Sequence, residues 1–425
     1  MSRNENKVNR RNFLKTIGVT GLGSIIGANA MADVNEPKDP NDANVLAVLA
    51  PATELKIPKR KIGNSGMEVP ILTLGAVMDP ENQVIYRTAH KWGVVCWDTA
   101  NIYGGGNSEI GIGKFFKKKP DARKDIFIIS KSSIFGKAGP GSFAVCTPEL
   151  MEERLQLSLK RMHTDYIDIY YGVHEMVELR QLSDDVKKWA EDAKKRKVIK
   201  LFGLSTHKNT NELGAVSKMD WVDVIQTPYN FRLMQDTKVK TAVQACYKDG
   251  KGIVAMKTLG MGQKTHEPEE EKLFEHFMKR GFSAQQAKIK YVLDDEAVTT
   301  ACIGMESMSA LTANIAAACD KTKLTRADKD VLDQYAYATC SGYCAGCANI
   351  CDAALPGMPY VSEVMRYLMY YNSYGDQIRA RGLFAQIPQQ ARDRLLKADY
   401  AVAEARCPQR MPITKLMAEA VEKLA

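Results

Sequence analysis

From about residue 59 onward the sequence alternates short, β-branched apolar runs with longer stretches of helical periodicity, eight times over. The runs are Ile71–Gly75, Val94–Asp98, Ile126–Ser130, Tyr166–Tyr171, Ile199–Ser205, Val222–Gln226, Ile253–Lys257 and Thr299–Ile303. Between them, Pro148–Met162, Ser183–Lys197, Lys238–Asp249 and Ser283–Leu293 carry helical patterns. Runs that are apolar throughout belong to strands covered on both faces, and so to a parallel sheet. Eight strand–helix units in about 265 residues predict an α/β fold of the closed (β/α)8 type, a TIM barrel. An open doubly wound sheet is the runner-up, but no Gly-rich fingerprint joins a first strand to a helix. In a barrel, polar residues that end the strands form the mouth where chemistry is done. Those positions hold Asp98, Lys131, His174, Ser205, Gln226 and Lys257.

The chain has 425 residues, more than the barrel needs, with 45% hydrophobic and 26% charged residues. Those proportions exclude a disordered or membrane-embedded class. Arg3, Lys7, Arg10, Arg11 and Lys15 against Glu5 carry part of the net charge of +9. The rest is spread without the dense basic runs that track phosphates, so nucleic acid is not an expected partner.

At the N-terminus, residues 9–15 (NRRNFLK) resemble the twin-arginine export motif. A mildly apolar, Gly-rich stretch from Ile17 to Ile26 and the small-x-small Ala28-Asn29-Ala30 follow in order. The bland alternative is a tail with a chance Arg pair. The stretch is too short for a bilayer, which needs about 20 apolar residues. Residues 1–30 are therefore expected to be a signal and 31–58 a linker bearing Pro37, Pro40, Pro51 and Pro58. The mature protein is expected in the periplasm or another extracytoplasmic space, without a stable membrane span. The twin-arginine translocase carries folded cargo, which suggests a cofactor inserted before export.

Four side chains invite a proton-and-hydride reading: Asp98 at the end of strand two, Tyr103 in the loop beyond, Lys131 ending strand three and His174 closing strand four. A phenol titrates near pH 10 and gives up a proton reluctantly at neutral pH. A neighbouring ammonium stabilises the phenolate, and a carboxylate keeps the ammonium charged and oriented. The other reading is a barrel-mouth salt bridge beside an ordinary loop Tyr.

The stretches 98–113 (DTANIYGGGNSEIGIG), 129–132 (ISKS), 158–170 (SLKRMHTDYIDIY), 203–207 (GLSTH) and 226–231 (QTPYNF) resemble the aldo/keto reductase family, as does the opening 62–70 (IGNSGMEVP). The resemblance covers about residues 59–320. It implies a nicotinamide cofactor, NADP or NAD, held without a Rossmann fold. It also implies Tyr103 as general acid, Lys131 and Asp98 as its tuning pair, and His174 as the group orienting a carbonyl substrate. By the same resemblance Ser205 and Gln226 hold the carboxamide, Lys257, Leu259 and Gly262 line the pyrophosphate, and Gly304 and Asn314 hold the adenosine end. At Glu306 the family often has a basic residue for the 2′-phosphate, and a carboxylate there repels that phosphate.

One spacing departs from the family. His174 follows Asp168 by six residues where the resemblance implies five. Strand side chains alternate, so one extra residue turns the imidazole away from the pocket unless a bulge absorbs it. Gly172 is the expected bulge site. The alternative is a His174 that only hydrogen-bonds nearby backbone.

Five of the ten Cys lie in the last hundred residues: Cys340, Cys344, Cys347, Cys351 and Cys407. Their spacing, C-x3-C-x2-C-x3-C and then a remote Cys407-Pro408, suits a metal or iron–sulfur centre. Zinc and disulfides are the alternatives, and the C-x3-C-x2-C triplet also matches the radical S-adenosylmethionine pattern. The segment resembles a ferredoxin-like domain with one 4Fe–4S cluster, which implies Cys340, Cys344, Cys347 and Cys407 as ligands. The local alternative uses Cys340, Cys344, Cys347 and Cys351. Cys96, Cys146, Cys246, Cys302 and Cys319 read as core residues. Residues 361–371 (VSEVMRYLMYY) have helical spacing and are expected to pack against the barrel or the cluster.

The expected organisation is thus a barrel over 59–325 and a small, mostly helical ferredoxin-like domain over 326–425. The expected function is carbonyl–alcohol interconversion by hydride transfer, with the cluster exchanging electrons with a partner protein. The rival is a non-catalytic electron-transfer or redox-sensing protein that uses the barrel as scaffold.

Overall fold

The computed structural model describes residues 56–75, 82–133, 147–176, 178–207, 212–262, 267–355 and 360–425. The expected signal, most of the linker and Cys146 lie outside those residues. Among the described residues, no helix is long and apolar enough to cross a membrane.

The chain enters as a hairpin, β1 (Lys59–Lys61) paired antiparallel with β2 (Glu68–Pro70). Eight parallel strands follow: β3 (Leu72–Gly75), β4 (Cys96–Asp98), β5 (Phe127–Ser133), β6 (Ile167–His174), β7 (Ile199–Ser205), β8 (Val224–Pro228), β9 (Gly252–Met256) and β10 (Thr300–Gly304). They pair in chain order and close, β10 lying beside both β3 and β9. The eight-unit reading therefore gives the closed barrel. The hairpin had no strand signal in the sequence. Its Ile62 and Val69 pack inside the barrel with Cys96, Ile129, Ile169, Leu201 and Val254. Its Arg60 donates to the carbonyls of Leu293, Asp295 and Val298 at 2.5–3.0 Å, tying it to the chain just before β10.

Helix starts follow their cap chemistry. Thr147 accepts from the Leu150 amide ahead of Pro148–Met162, and Ser183 from the Val186 amide ahead of Asp184–Lys195. Ser283 and Gln286 form a capping box at Ala284–Leu293. The helices bury Leu155, Trp189, Val243 and Ile289 against the strands in the main core.

The helix Arg326–Ala338 packs Leu332, Tyr335 and Ala336 on Phe231, Phe277 and Phe282 of the barrel. The first helix of the stretch expected as the C-terminal domain is thus packed on the barrel. Beyond it, helices Val361–Asn372, Gln377–Ala385 and Ile413–Leu424 bury a core of their own around Val364, Tyr367, Leu368, Phe384 and Met417. This helical part rests on the strand ends. Tyr343 joins the main core and accepts from Asn230 Nδ2 at 2.9 Å, and Ser373 donates to the Gly262 carbonyl.

Candidate functional site

Strand register gathers the expected polar residues at one end of the barrel. Gly75 lies beside Asp98, and His174, Ser205 and Gln226 are paired in sequence across β6, β7 and β8. Lys131 Nζ donates to Asp98 Oδ1 at 2.6 Å and to the Thr99 carbonyl at 2.7 Å, both side chains being fully enclosed. Gln226 Nε2 donates to the other carboxylate oxygen of Asp98 at 3.0 Å. Tyr103 comes from the loop after β4, with the Lys131 ammonium 4.7 Å from its ring centre. Asp98, Lys131 and Tyr103, separate in the sequence, are thus one cluster.

Burial works on each group in a definite direction. It would lower the Lys131 ammonium, but Asp98 first and then Tyr103 hold it above its usual value, so it stays charged. Burial raises the Tyr103 phenol, and Lys131 pulls it back without cancelling the rise. At neutral pH the phenol keeps its proton, the form a proton donor needs.

The register between β6 and β7 shifts between Tyr171 and Val173, so the bulge expected at Gly172 is present. The residue must be Gly because a Cβ there would collide with the Phe202 ring and stand 3.0 Å from Met151 Sδ. Past the bulge His174 turns inward, its Nδ1 bonded to Ser205 Oγ. Burial and then Lys131 push this imidazole well below its usual value, so it is neutral at pH 7. Nδ1 is taken by that bond, leaving Nε2 as the nitrogen available to a bound oxygen.

The loop carrying Tyr103 is braced by residues the sequence did not single out. Arg161 donates to the Asn101 carbonyl at 2.7 Å and to the buried Glu109 at 3.1 Å, and Ser130 donates to Glu109 at 2.8 Å. Arg161, Glu109 and Ser130 all lie in stretches that carry the family resemblance, but only the meeting of the helices Asn107–Lys118 and Pro148–Met162 shows what they do.

The remaining expected positions spread around the mouth. Gln226 Oε1 and Asn314 Nδ2 are buried without hydrogen-bond partners among the described residues. Gly304 borders open space, and Leu259 is packed at the edge of the main core. Lys257 and Gly262 meet the C-terminal helices instead. The Lys257 ammonium lies 3.4 Å from Tyr370 Oη and over the rings of Tyr370 and Tyr374. A Cβ on Gly262 would strike the Gly342 carbonyl. Burial and then Asp376 raise the Glu306 carboxyl, so these two acidic groups are neighbours.

The C-terminal helices add a charged tie across the mouth. Arg366 Nη1 donates to both oxygens of Glu175 at 2.6 and 2.8 Å, and His207 meets the same carboxylate at 3.0 Å. Between the two parts lies a cavity of about 540 Å3 including its opening, lined by His207, Lys257, Tyr343, Cys344, Glu363 and Arg366 among others.

A second cavity, about 360 Å3 with its opening, is lined by Cys344, Cys347, Cys351 and Cys407, with Met365, Pro408, Met411 and Ile413. Cys340 is not in that set: its Sγ accepts from Arg410 at 2.9 Å. Both quartets read in the sequence include Cys340, which lies outside this cavity lining. The chain from Cys340 to Gly342 forms a separate short turn that aims this thiol at Arg410 instead. Burial raises the Cys344 thiol to about 12 and the Cys347 thiol to about 11. Among the described residues no group of three or more His, Cys, Asp or Glu stands in position to hold a metal ion. All five Cys are free thiols; Cys96 and Cys246 are buried core residues, and Cys302 and Cys319 are part-buried.

Residues 61–336 match the aldo/keto reductase family. An aldo-keto reductase, yakc [NADP(+)], of Schizosaccharomyces pombe is 30% identical over 222 residues, covering 49% of this chain and 63% of that protein. A probable aldo-keto reductase of Glycine max is 28% identical, with 62% of its length matched, so the chain spans less than two thirds of these relatives. The L-galactose dehydrogenase of Arabidopsis thaliana is 25% identical over 63% of this chain and 90% of its own. Among solved structures, an aldo-keto reductase from Bacillus halodurans in its holo form is similar in fold, with a TM-score of 0.55 at 22% identity over 66% of this chain and 96% of that one.

Proposed function

The chain belongs to the aldo/keto reductase family, and from that premise we propose that it is an oxidoreductase interconverting a carbonyl and an alcohol at the barrel mouth. One observation carries the reading: a lysine held charged by Asp98 at 2.6 Å lies against the face of Tyr103, whose proton burial retains. Tyr103 gives that proton to the oxygen of the substrate as negative charge develops there. Lys131 stabilises the phenolate left behind, and Asp98 keeps Lys131 oriented through the exchange. The neutral His174, fixed by Ser205, steers the carbonyl oxygen with Nε2.

The residues fit a nicotinamide dinucleotide at two ends, where Gln226 Oε1 and Asn314 Nδ2 are buried and unsatisfied. Ser205 and Gln226 would hold its carboxamide and Gly304 and Asn314 its adenosine end, while of the three positions read for its pyrophosphate, Leu259, Lys257 and Gly262, the last two are in contact with the C-terminal part. Bound there, it supplies or accepts the hydride. The cofactor implied is NADP or NAD, and a 2′-phosphate there would meet the acidic Glu306 with Asp376 near it.

A 4Fe–4S cluster is proposed on donor chemistry alone: the thiols of Cys344, Cys347, Cys351 and Cys407 line one apolar cavity, but among the described residues no three such groups stand in position to hold a metal ion. Its role would be to pass single electrons to or from a partner protein. Residues 1–30 would deliver the folded, loaded protein to the extracytoplasmic space.

The test is oxidation of NADH and NADPH with a panel of carbonyl compounds, using anaerobically purified protein. Tyr103→Phe should lower kcat by about 10²–10⁴-fold, the usual worth of one acid–base group. Equal turnover by parent and variant would remove the proton-transfer reading. The contact of Lys257 and Gly262 with the C-terminal helices favours a second reading, a barrel retained as scaffold for electron transfer. That reading predicts no turnover in either protein but a reducible cluster in both.

A further inference from the structure

The C-terminal helices are fastened across the strand ends on two sides. After β9, Asn230 Nδ2 donates to the Lys257 carbonyl at 3.1 Å and to Tyr343 Oη at 2.9 Å. Ser373 donates to the Gly262 carbonyl, and Lys257 Nζ lies 3.4 Å from Tyr370 Oη. Residues 257–262, which include the positions read for a pyrophosphate, are thus pinned from outside. Just past β6, Arg366 holds both oxygens of Glu175. Arg379, from the helix Gln377–Ala385, lies 5.2 Å from the Tyr103 ring centre, so the same part also covers the acid.

The cofactor positions are shut off from water. Ser205 and Asn314 are 0% exposed and Gln226 1%. Gln226 Oε1 and Asn314 Nδ2 nonetheless have no hydrogen-bond partner among the described residues. A buried polar atom without a partner is costly, so the closed arrangement is complete only with a ligand that bonds both. Contacts that favour the closed form then also hold the ligand, because such coupling runs both ways. One way in remains. The cavity between the two parts reaches His207, whose ring is 6.4 Å from that of His174, so a small compound can enter with the latch shut.

We propose that the C-terminal helices act as a latch that keeps a nicotinamide dinucleotide in the barrel between turnovers, so that it is recharged where it sits by a second small alcohol or carbonyl compound instead of being exchanged. This rests on the oxidoreductase reading and on the dinucleotide positions given there. The balance is that of a two-substrate exchange. An alcohol loses a hydride from carbon to the oxidised dinucleotide and its hydroxyl proton to the Tyr103 phenolate, and leaves as a carbonyl compound. A second compound, a carbonyl, takes that hydride on carbon and the proton of Tyr103 on oxygen, and leaves as an alcohol. Tyr103 and the dinucleotide end as they began, and no other oxidant or reductant enters.

The experiment loads the full chain with NADH or NADPH and follows loss of the bound nucleotide's fluorescence on mixing with a large excess of the oxidised form. In the parent the nucleotide should survive gel filtration and exchange slowly. Ser373→Ala, and the neutral pair Glu175→Gln with Arg366→Met, should exchange about 5–150-fold faster at unchanged circular dichroism, the usual size of a coupling between two sites. Exchange as fast in the parent as in the variants overturns the latch. With no nucleotide added, the loaded parent should also carry deuterium from alcohols labelled on the carbinol carbon to the alcohol formed from a carbonyl compound, over many turnovers. Transfer that needs added nucleotide, or stops after one turnover per chain, overturns the recharging. A parent that binds neither nucleotide overturns the dinucleotide reading itself, and the proposal with it.

Discussion

Replacing Glu175 by Gln removes one charge from the tie between barrel and C-terminal helices. Glu175 is 6% exposed and Arg366 13%, and one guanidinium nitrogen reaches both carboxylate oxygens. Breaking such a pair from one side leaves the partner buried and uncompensated, at about 3–5 kcal/mol. Replacing both members with neutral groups of similar volume costs far less. In urea unfolding at pH 7, Glu175→Gln and Arg366→Met should each destabilise by about 3–5 kcal/mol. The double variant should recover roughly 2 kcal/mol or more of the summed loss, since the two side chains touch. The pH dependence has a fixed sign. Burial raises the Glu175 carboxyl, but Arg366 and then His207 overcome it and hold the group well below its usual 4.5. A carboxyl depressed in the folded state contributes its full share above the unfolded value and loses it as pH falls through the folded one. The gap between parent and Glu175→Gln should therefore be constant above pH 4.5 and shrink in stronger acid. Additive single variants, or a gap that persists undiminished in acid, would refute the pairing argument.

Two further outcomes follow from the strand bulge and the cysteine cavity. Gly172→Val places branched carbons against Phe202 and Met151, so it should cost about 1–3 kcal/mol as overpacking. It should also turn His174 from Ser205, lowering carbonyl turnover; parent-like stability and turnover together would show that the bulge does not set the imidazole's direction. After anaerobic reconstitution with iron and sulfide, the broad visible absorbance should be lost in Cys344→Ser and Cys407→Ser and kept in Cys340→Ser. Loss in the Cys340 variant equal to the others would return Cys340 to the ligand set.

Much of the barrel is legible in the sequence because its units are local. The β-branched runs fall on the strands within a few residues, as at Ile199–Ser205, and Thr147, Ser183 and Ser283 mark helix starts by their own hydroxyls. Polar residues at strand ends follow directly, so Asp98, Lys131, His174, Ser205 and Gln226 could be named at the mouth from position alone. Even the bulge could be counted, because the family resemblance implies five residues from Asp168 to His174 where this chain has six. The hairpin at Lys59–Pro70 was not, since three-residue strands are too short for a pattern to register.

What tertiary structure decided is everything that joins the two parts. Glu175 and Arg366 lie 191 residues apart, and Tyr370 and Lys257 113. No periodicity connects such positions; they meet because two separate apolar cores settle against one another and leave their charged rims in contact. The cysteines divide the same way. Spacing along the chain made Cys340 equivalent to its neighbours, whereas the turn at Cys340–Gly342 and the position of Arg410 set it apart and let Cys407 join Cys344, Cys347 and Cys351. Local chemistry writes the elements and their ends, while the facing of one packed surface on another chooses which side chains become neighbours.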